Sequence, residues 1–228
     1  MIFFKKAIMK KLLFLFLFST IIFNAQSKSA DNPFLVEDLP LYNGSVEFYY
    51  DNGNLKMEIN YINGVRNGVR KLFRTNGKLL QIGNWKNGEK DGVIKIYYES
   101  GALEHEGVFK NDKAEGVFKR YYESGKLEME LVFKNGELEG VVKKHYESGA
   151  LEKEDVFKNG EQEGFSKTYY ESGALKKESV FKNGEIEGVV KIYYESGELE
   201  MEAIFINNEI RFMINYNKKK RKPYVKRS

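Results

Sequence analysis

Apolar and polar residues follow one another along most of this chain in short runs, and each run ends in a turn signal. In a typical stretch, residues 117–122 (Val-Phe-Lys-Arg-Tyr-Tyr) precede Glu-Ser-Gly, and residues 126–133 precede Lys-Asn-Gly. Aromatic and β-branched runs of this length, bounded by glycine-containing triples, are typical of antiparallel hairpins. The pattern therefore predicts successive β-hairpins from residue 44 onward.

The hairpin pattern is an internal repeat with a period of 24 residues and no insertion or deletion. Two columns of glycine, one of leucine, one of aromatic residues and one of asparagine recur at this period. The columns define seven units that tile residues 44–211. Self-similarity at such a period is the sequence signature of a repeat architecture.

Both connections within a unit are expected to be three-residue loops, at residues 123–125 (Glu-Ser-Gly) and 134–136 (Lys-Asn-Gly) in the typical unit. Such a loop needs a residue in the left-handed region, which glycine enters most easily. Where the second loop departs from glycine it has Asp112 or Asn208, residue types that also tolerate a positive φ. The substitutions support the left-handed assignment.

The loop length predicts which side chains share a face of the sheet. With three-residue loops Val117 faces Leu131, whereas two-residue loops would split the recurrent apolar columns between faces. One face is then built from the columns of Val117, Tyr121, Leu127 and Phe133. The other face carries the columns of Tyr122, Glu128, Glu130 and Val132.

The predicted fold class is all-β, an elongated single-sheet antiparallel meander of seven 24-residue β-hairpin repeats. About 14 strands at roughly 4.8 Å each give an axis on the order of 65 Å. Residues 26–43 are expected to form a linker and N-terminal cap, with either a cap strand or a linker at 35–42. Residues 212–216 begin an eighth unit and are expected to be a C-terminal cap strand over the last edge.

Residues 1–25 have the layout of a secretory signal peptide. Four lysines precede an apolar run at 12–23, and Ala25 supplies a small residue at a plausible cleavage point. The run is short for a transmembrane helix of roughly 20 residues. An uncleaved anchor is the alternative, and Met9 is a second candidate start. We expect an exported chain, in the periplasm, on the cell surface or secreted.

The net charge of +4 conceals a strong segregation, with +4 in residues 1–25, +7 in residues 217–228 and −7 in the body between them. Because the basic charge sits at the ends, no specific nucleic-acid binding is expected. We expect the tail to be disordered and to dock on an anionic membrane or envelope surface, at roughly 1 kcal/mol per basic residue. A solvated tail without a partner is the alternative. Its cations are Lys218, Lys219, Lys220, Arg221, Lys222, Lys226 and Arg227.

Few residues could carry catalysis or bind a metal. The chain has no cysteine and only two histidines, His105 and His145, which lie in different columns. The ladder of equivalent glutamates lacks the asymmetry that an acid–base pair needs, and the serines before turn glycines are explained by turn chemistry. We expect no catalytic residue, no metal and no cofactor.

A lysine column lies beside a tyrosine column on one predicted face. Such stripes could bind an acidic polymer or stack on sugar rings. Alternatively, the lysine stems only cover the apolar sheet while their ammonium groups reach water. The candidate binding residues are Lys95, Lys119, Lys143, Lys167 and Lys191 with Tyr97, Tyr121, Tyr169 and Tyr193.

The recurring Tyr-Tyr-Glu-Ser-Gly-x-Leu, followed by Phe-Lys-Asn-Gly-x-x-Glu-Gly, resembles the MORN repeat variant of bacterial repeat proteins, which include those labelled YwqK-type antitoxins. The resemblance covers 44–211. It implies a β-hairpin repeat architecture and association with proteins or membrane lipids.

We therefore expect an exported, non-enzymatic repeat scaffold that binds a protein, a glycan or an envelope or host surface through its extended sheet. The alternative is an antitoxin-like protein that neutralises a toxin partner, as the family label implies. An enzyme is a third hypothesis, and it predicts an asymmetric pocket that breaks the repeat.

Overall fold

The structure is a computed structural model, and it describes residues 42–216 together with the backbone of residues 224–227. This part of the chain is all-β, and its strands form one antiparallel sheet. The strands are β1 (Gly44–Tyr49), β2 (Leu55–Ile62), β3 (Val65–Phe73), β4 (Leu79–Lys86), β5 (Glu89–Tyr97), β6 (Leu103–Lys110), β7 (Lys113–Tyr121), β8 (Leu127–Lys134), β9 (Glu137–Leu138), β10 (Gly140–His145), β11 (Leu151–Lys158), β12 (Glu161–Tyr169), β13 (Leu175–Lys182), β14 (Glu185–Ile186), β15 (Gly188–Tyr193), β16 (Leu199–Ile206), β17 (Glu209–Asn215) and β18 (Tyr224–Arg227).

The strands pair in chain order as a meander, which confirms the predicted fold class. Strands β9 and β10 both pair with β8, and β14 and β15 both pair with β13. Each of these pairs is therefore one strand with an interruption, and the seven repeats supply the fourteen expected strands. Strands β17 and β18 extend the sheet beyond the seventh repeat.

The predicted terminal segments fall mostly outside the described residues. This holds for the signal peptide at 1–25, for 26–41 of the predicted linker and cap, and for 217–223 of the tail. The expected C-terminal cap strand coincides with the end of β17. Residues 224–227 were expected to belong to a disordered tail, but in the structure they form β18.

The first loop of each hairpin has three residues, as the sequence predicted. The amide of Tyr122 donates to the carbonyl of Lys126 across the loop, and Gly125 has a φ of 83°. The prediction for the second loop was wrong. Lys134 pairs directly with Glu137, which leaves a two-residue loop in which Asn135 and Gly136 both have positive φ. Asn-Gly is the dipeptide favoured in type I′ turns, whose twist matches that of the flanking strands.

The predicted faces also need correction, because bulges shift the pairing inside each hairpin. In the fourth repeat Tyr121 pairs with Leu127 but Arg120 pairs with Met129, so one extra residue is inserted in β8. As a result Val117 lies opposite Val132, and Phe118 lies opposite Leu131. A bulge of this kind moves the residues beyond it to the other face.

One face of the sheet, called here the inner face, holds the hydrophobic core. Leu131 is only 1% exposed although no second layer in the described part of the chain covers this face. Because a single sheet can shelter one side only by twisting and bending, the curvature of the sheet itself makes the core. The core cluster comprises Trp85, Ile94, Phe109, Ala114, Phe118, Leu131, Phe133, Leu138, Val142 and Phe157.

Neighbouring strands match the sizes of their inner side chains. Ile94 lies opposite Gly83 on one side and Gly107 on the other. Phe118 packs over Gly107, and its ring contacts Phe109 and Phe133 edge to face at centroid distances of 5.3 and 4.8 Å. A large residue on one strand is thus accommodated by a glycine on the next, which keeps the core closely packed.

The inner face becomes polar in the fifth and sixth repeats. Asp155, Ser166 and Ser179 are buried at successive positions of the row that Leu131 occupies in the fourth repeat. The carboxylate of Asp155 accepts a hydrogen bond from Gln162 Nε2 at 2.8 Å and forms an ion pair with Lys153. These contacts offset much of the cost of burying the charge.

A ladder of hydrogen bonds links each repeat to the next beside the first loops. Tyr122 donates its hydroxyl to the carbonyl of His145 at 2.7 Å, and the equivalent tyrosines Tyr50, Tyr98, Tyr146 and Tyr170 make the same bond one repeat apart. In the second repeat Arg74 replaces tyrosine, and its Nη2 donates to the carbonyl of Tyr97 at 2.8 Å. The ladder fixes the spacing between consecutive loops.

Candidate binding surface

The face opposite the core, called here the outer face, carries the predicted lysine column in a continuous row of alternating charges. Lys119 lies opposite Glu106 on β6 and Glu130 on β8. The same alternation runs from Lys95 to Glu202. The glutamates were expected on the other face, and the bulge in each hairpin brings them beside the lysines. The row carries both signs, so it does not form a basic stripe.

Tyrosines of the predicted binding column border this row of charges. The hydroxyls of Tyr121 and Tyr193 each donate to a row carboxylate, Glu106 and Glu178, at 2.7 Å. Tyr169 donates to Glu154 at 3.3 Å. Burial, and then the bond to the carboxylate, raise the pKa of Tyr121 and of Tyr193 to about 12. The predicted lysine and tyrosine columns do share a face, and the hydroxyls of three of the four predicted tyrosines are bound to glutamates.

An exposed apolar stripe, missed in the sequence analysis, runs across the outer face beside the charged row. One apolar pair per repeat faces across each hairpin, from β5 to β16. At about 4.8 Å per strand the stripe is roughly 45 Å long. Phe165 is 59% exposed, and most other members are 39–47% exposed. The outer stripe comprises Val93, Val108, Val117, Val132, Val141, Val156, Phe165, Val180, Val189 and Ile204.

The signal for this stripe was present in the sequence. The columns of Val117 and Val132 are each β-branched in five of the seven repeats, although neither column is buried. The two columns were assigned to opposite faces because the pairing was counted from the first loop without the extra residue in β8. A register with a bulge beside Tyr121 would have placed them together.

The inner face holds a small cavity of about 50 Å³ between the second and fourth repeats. Gln81, Ile94, His105, Phe118 and Leu131 contribute to its lining. Burial, and then the charge of Arg120, lower the pKa of His105 to about 4. The imidazole is therefore neutral near pH 7, and its Nδ1 lies 3.5 Å from a Glu104 carboxylate oxygen without forming an ion pair.

The remaining candidates have structural positions. Ser100 and Ser124 lie in the first loops of their hairpins, where turn chemistry explains them. His145 takes the place of a tyrosine in its column, and its carbonyl accepts the hydrogen bond from Tyr122. Among the described residues no three His, Asp or Glu side chains are grouped so as to hold a metal ion.

Of the predicted basic tail, Lys226 and Arg227 lie in β18, where their backbone pairs with that of Met213 and Phe212. The tail cations from Lys218 to Lys222 lie outside the described residues. In the described part of the chain, no helix has the length and apolar character to cross a membrane.

Comparison with known proteins identifies the repeats. The family model described as MORN repeat variant matches the chain seven times, at residues 42–63, 66–87, 90–111, 114–135, 138–159, 162–183 and 186–207. No curated protein matches the chain. Each match ends at the asparagine of a second loop, and each match after the first begins one residue inside the leading strand of its hairpin. Because the matches cover well over half of the sequence, this chain belongs to the MORN repeat variant family.

Proposed function

We propose that this chain is an exported, non-catalytic scaffold that binds another protein through the outer stripe. The observation that carries the proposal is a series of five apolar pairs, one in each hairpin from the third to the seventh repeat, in which eight of the ten side chains are exposed. Scattered apolar residues are normal on a protein surface, whereas a contiguous apolar patch rimmed by polar residues marks an interaction site.

The composition of the stripe suits a protein partner. Valine and isoleucine on a hydrogen-bonded sheet lose little rotamer freedom on contact, so burying them carries a small entropic cost. The alternating lysines and glutamates beside the stripe give it a polar rim without a strong net charge. Such a rim contributes specificity through charge complementarity more than it contributes raw affinity.

The same surface suits a glycan or a polyanion less well. Sugar binding would use the tyrosines as stacking platforms with free polar tips, but Tyr121, Tyr169 and Tyr193 donate their hydroxyls to row glutamates. An acidic polymer would meet a glutamate beside every lysine from Lys95 onward. Protein is therefore the partner class that the outer face favours.

Two aspartates placed in the stripe test the proposal. We expect the double variant Val141→Asp/Phe165→Asp to lose the proteins that the immobilised wild-type chain retains from the envelope or medium of the producing cells, because buried unpaired carboxylates oppose association. The matched control is Ser148→Asp/Ser172→Asp, which adds the same charge at exposed loop positions. The proposal would be contradicted if both double variants lost the same proteins, or if neither variant lost any.

Export rests on the signal-peptide layout of residues 1–25 and has its own test. We expect the product recovered from the envelope or medium to begin near Gln26 when its N-terminus is sequenced. An uncleaved product in the cytoplasm would contradict export and would leave binding by the stripe to be judged by the aspartate variants.

A further inference from the structure

We propose that copies of this chain associate head to tail, with the open edge of β1 of one copy paired to the outer edge of β18 of the next. The contact would continue the antiparallel meander from one molecule into another. It concerns the two ends of the sheet and is separate from the outer stripe, so either proposal can fail without the other.

The two ends of the sheet are complementary in strand type. Each hairpin consists of a leading strand, such as β15, and a return strand, such as β16, paired with Val190 opposite Ala203 and Lys191 opposite Glu202. Strand β18 pairs with β17 in the equivalent register, with Ile214 opposite Val225 and Asn215 opposite Tyr224. The sheet therefore begins with a leading strand and ends with a return strand. Between consecutive repeats, the return strand of one hairpin pairs with the leading strand of the next hairpin.

Both terminal strands have a free edge in the described part of the chain, where β1 pairs only with β2 and β18 only with β17. An edge strand presents a row of unpaired backbone N–H and C=O groups, which is a template for another strand. Between repeats the register pairs Glu58 with Lys71 and Ile59 with Arg70. The same register at the contact would pair the backbone of Tyr224 with Glu47 and that of Val225 with Val46.

The charges at the two ends favour this pairing. The column that holds lysine in the later repeats has Glu47 in β1, and Glu47 lies directly opposite Glu58. Like charges opposite each other are unfavourable, and a basic strand beside β1 would relieve the repulsion. The tail at 217–228, which includes β18, carries seven cations and no acid, whereas the body carries −7.

A head-to-tail contact is heterologous, because it uses a different surface on each partner, and it produces open chains when the rotation does not close. The contact would join the inner face of one copy to the inner face of the next, and the outer face to the outer face. Strand β1 is short and polar at several positions, so a contact of this size predicts reversible assembly.

Complementation between two defective variants tests the direction of the contact. Sedimentation velocity of the full chain recovered from its producing cells should show association that grows with protein concentration. We expect Glu47→Lys, and separately Lys226→Glu/Arg227→Glu, to weaken association by about tenfold or more, because the first adds a cation to the strand that meets the basic tail and the second adds two acids to the strand that meets Glu47. An equimolar mixture should associate again, since each variant keeps the edge that the other has lost. Glu123→Lys, an equal charge change in a first loop, is the matched control and should associate like wild type.

Three results would overturn the proposal. A wild-type chain that stays monomeric at all concentrations would show that the edges of β1 and β18 do not pair between molecules. Loss of association in Glu47→Lys alone, with none in the tail variant, would indicate a head-to-head contact. A mixture that stays monomeric would exclude complementary edges. Unchanged far-ultraviolet circular dichroism confirms that each variant remains folded.

Discussion

Phe118 packs directly over Gly107, so that a Cβ atom on the glycine would lie only 2.2 Å from the ring. The glycine does not have a positive φ, so alanine would be compatible with its backbone. We expect Gly107→Ala to destabilise the protein by about 1–3 kcal/mol, because the aromatic ring has to shift within a packed core. Urea unfolding followed by fluorescence measures the change.

The rescue variant makes this prediction specific. Valine occupies the position of Phe118 in the fifth and seventh repeats, as Val142 and Val190. Gly107→Ala should therefore lower the free energy of unfolding much less in the Phe118→Val variant than in the wild-type protein. An equal cost in both backgrounds would mean that the glycine is needed for another reason.

The hydroxyl of Tyr122 ties one repeat to the next through the carbonyl of His145. We expect Tyr122→Phe to lower the free energy of unfolding by roughly 1 kcal/mol, the typical net worth of one partly buried hydrogen bond. Tyr49→Phe is the control, because the hydroxyl of Tyr49 is exposed and meets only the nearby Glu47. Equal effects of the two variants on the unfolding midpoint would argue against a structural role for the ladder.

His105 should make stability depend on pH. Burial and Arg120 lower its pKa from 6.5 to about 4, so the unfolded chain binds the proton first as the pH falls. The contribution of neutral His105 to the free energy of unfolding is complete above about pH 6.5 and is lost as the pH falls toward 4. This contribution is on the order of 2 kcal/mol after allowance for screening by solvent.

The matched variant for this effect is His105→Met, since methionine stands at the same position in Met57 and Met129. Glu104, Arg120 and Glu128 surround the site and remain in the variant. Thermal unfolding at several pH values should show a shallower acid dependence for the variant. Parallel profiles for the two proteins would show that His105 does not titrate as described.

The repeat period, the fold class and the first loops could be predicted because each rests on a local signal. Gly125 marks a left-handed position, and the 24-residue columns mark the hairpins without any knowledge of tertiary contacts. The assignment of faces failed because it depends on counting every residue between two strands. One bulge at Tyr121 and one shorter loop at Asn135 were enough to exchange columns between faces.

Only part of the candidate binding surface could be predicted, because the rest depends on the register between strands. Lys119 and Tyr121 are two residues apart on one strand, so their common face follows from alternation alone. The pairing of Lys119 with Glu106 and Glu130, and the exposure of the stripe at Val117, depend on register between strands. The cavity beside His105 depends on how Ile94, Phe118 and Leu131 pack at this point, which the repeat pattern does not specify.

Site-specific photo-crosslinking in the producing cells tests the central claim, binding through the outer stripe, most directly. A photoreactive residue in place of Val117 or Val141 should give a covalent adduct with one protein partner. The same residue in place of Lys144, a partly exposed position on the inner face of the strand that carries Val141, should give none. Adducts from Lys144 and none from the two stripe positions would contradict the account.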